Sequence, residues 1–151
     1  MILQKKNVFI LTLLLLLAFL SACQKTVDLE PSAYQDSDLN QLDGVTMVVT
    51  PTEHPVTTES IALTIKNESN EEHSYGVEFK LEKEIAGEWY EVPFEGEVSW
   101  IMIAYILEAN SENNETISFD LLDKNTLTEG NYRLIKQISG QAISAAFTLT
   151  E

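Results

Sequence analysis

A chain of 151 residues with 24 acidic and 9 basic side chains, a formal charge of −15, offers no basic surface for a polyanion, which argues against DNA or RNA binding. The single cysteine excludes an internal disulfide, so the fold rests on its apolar residues, 44% of the chain and enough for one unstapled core.

The first elements form a leader. Met1 to Asn7 carries Lys5 and Lys6 and no acid, and Val8 to Leu20 is a continuous run of 13 residues, apolar but for Thr12, shorter than the roughly 20 a spanning helix needs. Small residues follow, then Cys23. Leu20-Ser21-Ala22-Cys23 resembles the bacterial lipoprotein signal, whose box reads Leu, a small or hydroxyl residue, Gly or Ala, then Cys, and it matches at all four positions. The resemblance implies cleavage between Ala22 and Cys23. It also implies a diacylglyceryl group on the Cys23 thiol, placing the mature chain on the outer, extracytoplasmic face of the cell membrane. Two or three acyl chains hold a protein almost permanently, whereas one holds it marginally. With Lys5 and Lys6 removed, 7 bases and 24 acids remain, a charge of −17. Such a chain has no basic face for anionic lipid.

Residues 1–22 are thus read as signal, 23–43 as the lipidated cysteine with an acidic linker, and 44–151 as the folded domain. Gln24 to Leu42 is polar, contains Pro31, has few large apolar residues, and reads as a flexible tether. From Gly44 onward, short alternating runs separated by turn residues predict an antiparallel β-sandwich of about 7–9 strands. Val45, Met47 and Val49 form the first inward set, then Ile61, Leu63 and Ile65. Tyr75, Val77, Phe79 and Leu81 alternate with Gly76, Glu78, Lys80 and Glu82, predicting one strand with its acids in solvent. Ala86-Gly87 fits a tight hairpin to a strand from Trp89 to Phe94, which Pro93 places at an edge or end. Ser99 to Leu107 is apolar on both faces and is compatible with a covered strand, a bulged strand or a short helix. Asn110 to Asn114 reads as a loop. Ile117, Phe119 and Leu121 read as inward residues, and Asn131–Ile138 and Ile143–Leu149 as the last two strands, turned at Gly140.

Tyr132 fits the tyrosine corner of immunoglobulin-type sandwiches, with Gly130 making the turn before it and Leu134 where antibody domains carry a cysteine. Tyr75 to Lys83, Gly87 to Pro93 and Gly130 to Lys136 carry a resemblance to the bacterial Ig-like domain family of exported lipoproteins in Gram-positive bacteria. It spans about Gly44 to Leu149. The resemblance implies an immunoglobulin-like sandwich and lends no catalytic residues.

No site chemistry gathers in the sequence. His54 and His73 have no metal-ligand spacing around them, so no metal or cofactor is expected. No Gly-rich phosphate loop or nucleophile–base order is present. Trp89 and Trp100 are the candidate partner surface, with Trp89 expected to face away from Tyr90, Val92 and Phe94. The expected function is a non-catalytic, lipid-anchored binding or structural module of the cell envelope, its partner an envelope protein or wall polymer. The alternative is an extracytoplasmic protease inhibitor on the same sandwich, suggested by Ile65-Lys66-Asn67-Glu68-Ser69.

Overall fold

Residues 29–151 are described by the computed structural model, and the leader through Asp28, with Ala22 and Cys23, lies outside them. Alternation of apolar and polar side chains lets each strand bury one face, and the strands stack as two sheets. The smaller sheet has the order β2 (Val45–Thr50), β4 (Ser60–Asn67), β9 (Ser111–Ser118), all antiparallel. The larger runs β1 (Glu30–Pro31), β7 (Glu88–Glu91), β6 (Lys80–Ile85), β10 (Gly130–Ile138), β11 (Gln141–Thr150), β3 (Glu53–Pro55), with β3 parallel to β11. Two short strands, β5 (His73–Tyr75) and β8 (Tyr105–Leu107), extend it beyond the end of β10.

Between the sheets lie Val49, Ile61, Leu63 and Ile65 from one side and Leu81, Tyr132, Leu134, Ile138, Ile143 and Phe147 from the other. Ala86 and Gly87 both take positive φ, 54° and 86°, as a two-residue hairpin between paired Ile85 and Glu88 requires. The opposite faces of β10 and β11 carry Arg133, Ile135 and Ala142, which are also buried.

That second buried face has a cover the sequence did not reveal. Of residues 30–42, expected within a flexible tether, Glu30–Pro31 extend the edge of the larger sheet as β1, Tyr34 to Leu39 cross its outer face, and Leu42 packs against the core between the sheets. Leu39 and Tyr34 pack on Ile135 and Ala142, and a 3-10 turn over Asp36–Asp38 bends the chain between them. Polar composition hid this, because a few apolar contacts with hydrogen bonds are enough when the sheet already supplies the apolar area.

Other expectations need correction. Tyr75 to Leu81 is not one strand. Tyr75 pairs with Ile138 and Lys80 with Ile135, so five steps on one side meet three on β10, and the surplus residues loop out. Asn110 to Asn114 is not a loop: β9 begins at Ser111, pairing with Asn67, and its polar first six residues suit an edge strand. Leu121 is exposed, while Leu122 enters the core after a tight turn, its amide donating to Phe119 O at 3.0 Å. Glu82 is fully buried, with 0% exposure, instead of pointing to solvent.

Candidate functional site

Tyr132 is buried on β10, stacked on Phe147 at 5.7 Å. Its hydroxyl donates to Thr128 O at 2.6 Å and accepts from Thr128 N at 3.1 Å, so one side chain satisfies both backbone groups of a residue outside the strand. Burial of the ring raises the phenol pKa. Gly130, at φ 144°, lets the chain enter β10 beside Lys83, where a Cβ would come within 3.1 Å of Lys83 Cε.

Arg133, the next residue along, points the other way and organises the outer face. Its Nε donates to Glu82 Oε2 at 2.7 Å, and Nη1 donates to Asp36 Oδ1 at 2.7 Å. Nη2 reaches Ser32 Oγ and Tyr34 O, both at 3.4 Å. Ser32 Oγ in turn donates to Glu82 Oε1 at 2.6 Å, satisfying the second oxygen of that buried carboxylate. The guanidinium lies over the Trp89 ring at 4.3 Å. Further along, Asn40 N donates to Ala142 O at 2.9 Å, and Ser144 N to Asn40 Oδ1 at 2.9 Å. Residues 30–42 are therefore a strap, clamped at one end by an ion-paired arginine and at the other by an asparagine that mimics a strand partner. Trp89 is half-buried beneath Arg133 and belongs to this clamp.

Trp100 occupies a different place. It is half-buried, with its ring 5.6 Å from both Phe79 and Phe94, and this aromatic trio caps one end of the sandwich. The two tryptophans therefore do not form one surface. Beyond Trp100 the chain has no regular structure until β8, and Ile101, Met102 and Ile103 project outward with 62%, 103% and 45% exposure. Tyr105 and Ile106 are exposed next to them. This apolar ridge borders a groove of about 720 Å³ lined by Ser74, Gly76, Gln137 and Ser139. None of the three readings of Ser99–Leu107 applies to the whole segment: only its last three residues are strand, Leu107 enters the core, and Ile101 to Ile103 with Tyr105 and Ile106 face outward.

The remaining ionisable groups hold elements together. Lys136, buried between the sheets, stands 3.2 Å from Glu115 of β9 and 5.4 Å over the Tyr75 ring. The contact with Glu115 is coulombic, since Lys136 Nζ has no aligned hydrogen-bond acceptor. Burial pushes the Tyr75 phenol up to about 12, while Asn113 Nδ2 donates to its oxygen at 3.0 Å. His73 joins two turns, with its ring nitrogens 3.1 Å from Ser139 Oγ and 3.4 Å from Ser69 Oγ. His54 sits edge-on to Phe147. Among the described residues, no group of three or more His, Cys, Asp or Glu could hold a metal ion. In the segment Ile65 to Ser69, Ile65 and Asn67 are buried, and Asn67 Nδ2 donates to Glu71 O at 2.7 Å and to Glu108 O at 3.0 Å.

Sequence reasoning missed Arg133, Glu82 and the ridge. Alternation around Arg133 was a usable signal: with Tyr132 and Leu134 inward, Arg133 must face outward, and the apolar Ile135 beside it on that face asked for a cover. Its partner Glu82 is 51 positions away, which no local pattern reveals.

Comparison with known proteins adds a family and little else. A family profile described as "Bacterial Ig-like domain" matches residues 41–149. No curated protein matches the chain. Among solved structures, a likeness is found to the Pseudomonas fluorescens alkylpurine DNA glycosylase AlkC bound to DNA containing an abasic site analog. It has 12% identity and a TM-score of 0.42, over 76% of this chain. The chain spans 33% of that enzyme's length, and the likeness is too loose to bear on function.

Proposed function

The chain belongs to the bacterial Ig-like domain family, and from this we propose that it is a non-catalytic, lipid-anchored module on the extracytoplasmic face of the cell membrane, binding or supporting another envelope component. The observation that carries the reading is the strap. It fixes residues 30–42 to the sheet, leaving residues 24–29 between Cys23 and the folded face. A lipid on Cys23 would then hold the sandwich itself near the bilayer, with force passing through β1 and the Arg133–Glu82 pair. The buried ionic side chains Glu82, Arg133 and Lys136 all sit in ion pairs that join separate elements. Such pairs support a reading in which the scaffold is structural and function is carried by exposed surface.

The test is fractionation of wild type and Cys23→Ser in a bacterial host. Wild type is expected in the membrane fraction carrying lipid, and the variant in the aqueous fraction. A variant that stays in the membrane and still carries lipid overturns the reading.

A further inference from the structure

We propose that the ridge Ile101-Met102-Ile103 is a membrane-contacting tip that dips into the lipid interface of the bilayer holding Cys23. The inference rests on the lipid-anchor reading above. Three consecutive apolar side chains at an exposed turn are unusual on a soluble sandwich, where large apolar side chains in solvent are otherwise scattered. Their base is rigid. Trp100 is wedged against Phe79 and Phe94 on one side, and β8 pairs with β5 on the other. Between these supports the chain turns tightly, Ile103 N donating to Ile101 O at 3.0 Å.

The occupant follows from where the chain leaves the domain. β10 runs from Gly130 at one end of the sandwich to Ile138 at the other, and Ser139 and Gly140 beyond it line the groove beside the ridge. β6 and β10 are antiparallel, with Lys80 next to Ile135, so β6 starts at the ridge end. β7 runs back toward that end, reaching Glu91, and β1 opposes it, Glu30 against Glu91 and Pro31 against Tyr90. Read from Pro31 to Glu30, the chain therefore heads toward the ridge end. Residues 24–29 join Leu29, where the described structure begins, to Cys23. Fully extended, they span about 20 Å, less than the breadth of a small domain. The same end of the sandwich that presents the ridge is thus the end held against the bilayer.

Charge disfavours a second copy as the occupant. It would bring an equally acidic surface to a mature chain of charge −17. Uncharged lipid is met without that repulsion, and Ile and Met side chains gain by entering the interface.

The experiment uses the full lipidated chain, carrying Trp89→Phe so that Trp100 is the one fluorophore, in phosphatidylcholine vesicles brominated near the carbonyl end of the acyl chains. The protein is expected to float with the vesicles, with Trp100 emission roughly halved relative to unbrominated vesicles. Met102→Asp should float equally and lose the quenching. In the native two-tryptophan chain, Met102→Asp should remove the same share of quenching without disturbing the Arg133 clamp. Floating protein with equal emission in both vesicles overturns the tip and leaves the anchor standing, assigning the ridge to a macromolecular partner. Protein that does not float overturns the anchor, and the tip with it.

Discussion

Arg133 is the side chain whose loss should cost this fold most. Its removal leaves Glu82 charged, buried and without its counter-ion, a loss of about 3–5 kcal/mol for a broken buried pair. Arg133→Ala should lower the urea midpoint with an unchanged slope. Arg133→Lys should not rescue it, since an ammonium can neither fork between Glu82 and Asp36 nor stack on Trp89. The Lys136–Glu115 pair should respond asymmetrically. Glu115→Gln strands an ammonium in the core and should cost about 3 kcal/mol in the same measurement. Lys136→Met leaves a carboxylate near the surface that can rehydrate, and should change stability by less than about 1 kcal/mol. Tyr75 makes a pH prediction. Its phenol is raised to about 12 when folded, so as pH rises from the ordinary tyrosine value the unfolded chain sheds a proton that the folded chain keeps. Stability contributed by the neutral phenol is complete below pH 10 and is lost toward pH 12, by roughly 1–2 kcal/mol. Tyr75→Phe should flatten that part of an alkaline stability profile, and an unchanged slope would remove Tyr75 as its source. Tyr132 was legible from its sequence setting because a corner tyrosine answers to local turn chemistry. Arg133 and Lys136 were not, because each partner sits on a distant strand.

At the level of elements, β2 and β4 were legible because each has one face in the core and the other largely polar, so period-two alternation survives in the residues, whereas β10 and β11 keep it on the inward face and bury Ile135 and Ala142 on the other. Alternation failed where one strand serves two neighbours, as in the surplus residues between Tyr75 and Lys80, and where an edge strand is polar for most of its length, as in β9 before Ile117. It also failed for the strap, whose apolar contacts on the outer face, Tyr34 and Leu39, follow no period because the segment is held by Arg133 from the sheet and by its own Asn40 on β11. Leu39→Ala removes the more deeply buried of those contacts, at about 2 kcal/mol or more for a buried leucine. Limited proteolysis should then cut between residues 30 and 42 while the remainder stays intact. Cleavage no faster than in wild type would mean the hydrogen bonds alone hold the strap.

For the whole molecule, the strap settles how far the sandwich can stand from residue 23. A free linker to Gly44 would let the domain wander, whereas a clamped one presents a fixed end, bearing the ridge, toward whatever holds residue 23. Hydrogen exchange on the full-length chain tests this most directly, read at the amides of Ser32, bonded to Trp89 O at 2.8 Å, and Asn40, bonded to Ala142 O at 2.9 Å. If the strap is part of the fold, both amides exchange slowly, on the scale of the β7 amides beside Ser32 and the β11 amides beside Asn40. Exchange of both at the rate of an unstructured peptide would return residues 30–42 to a loose linker and contradict the clamp.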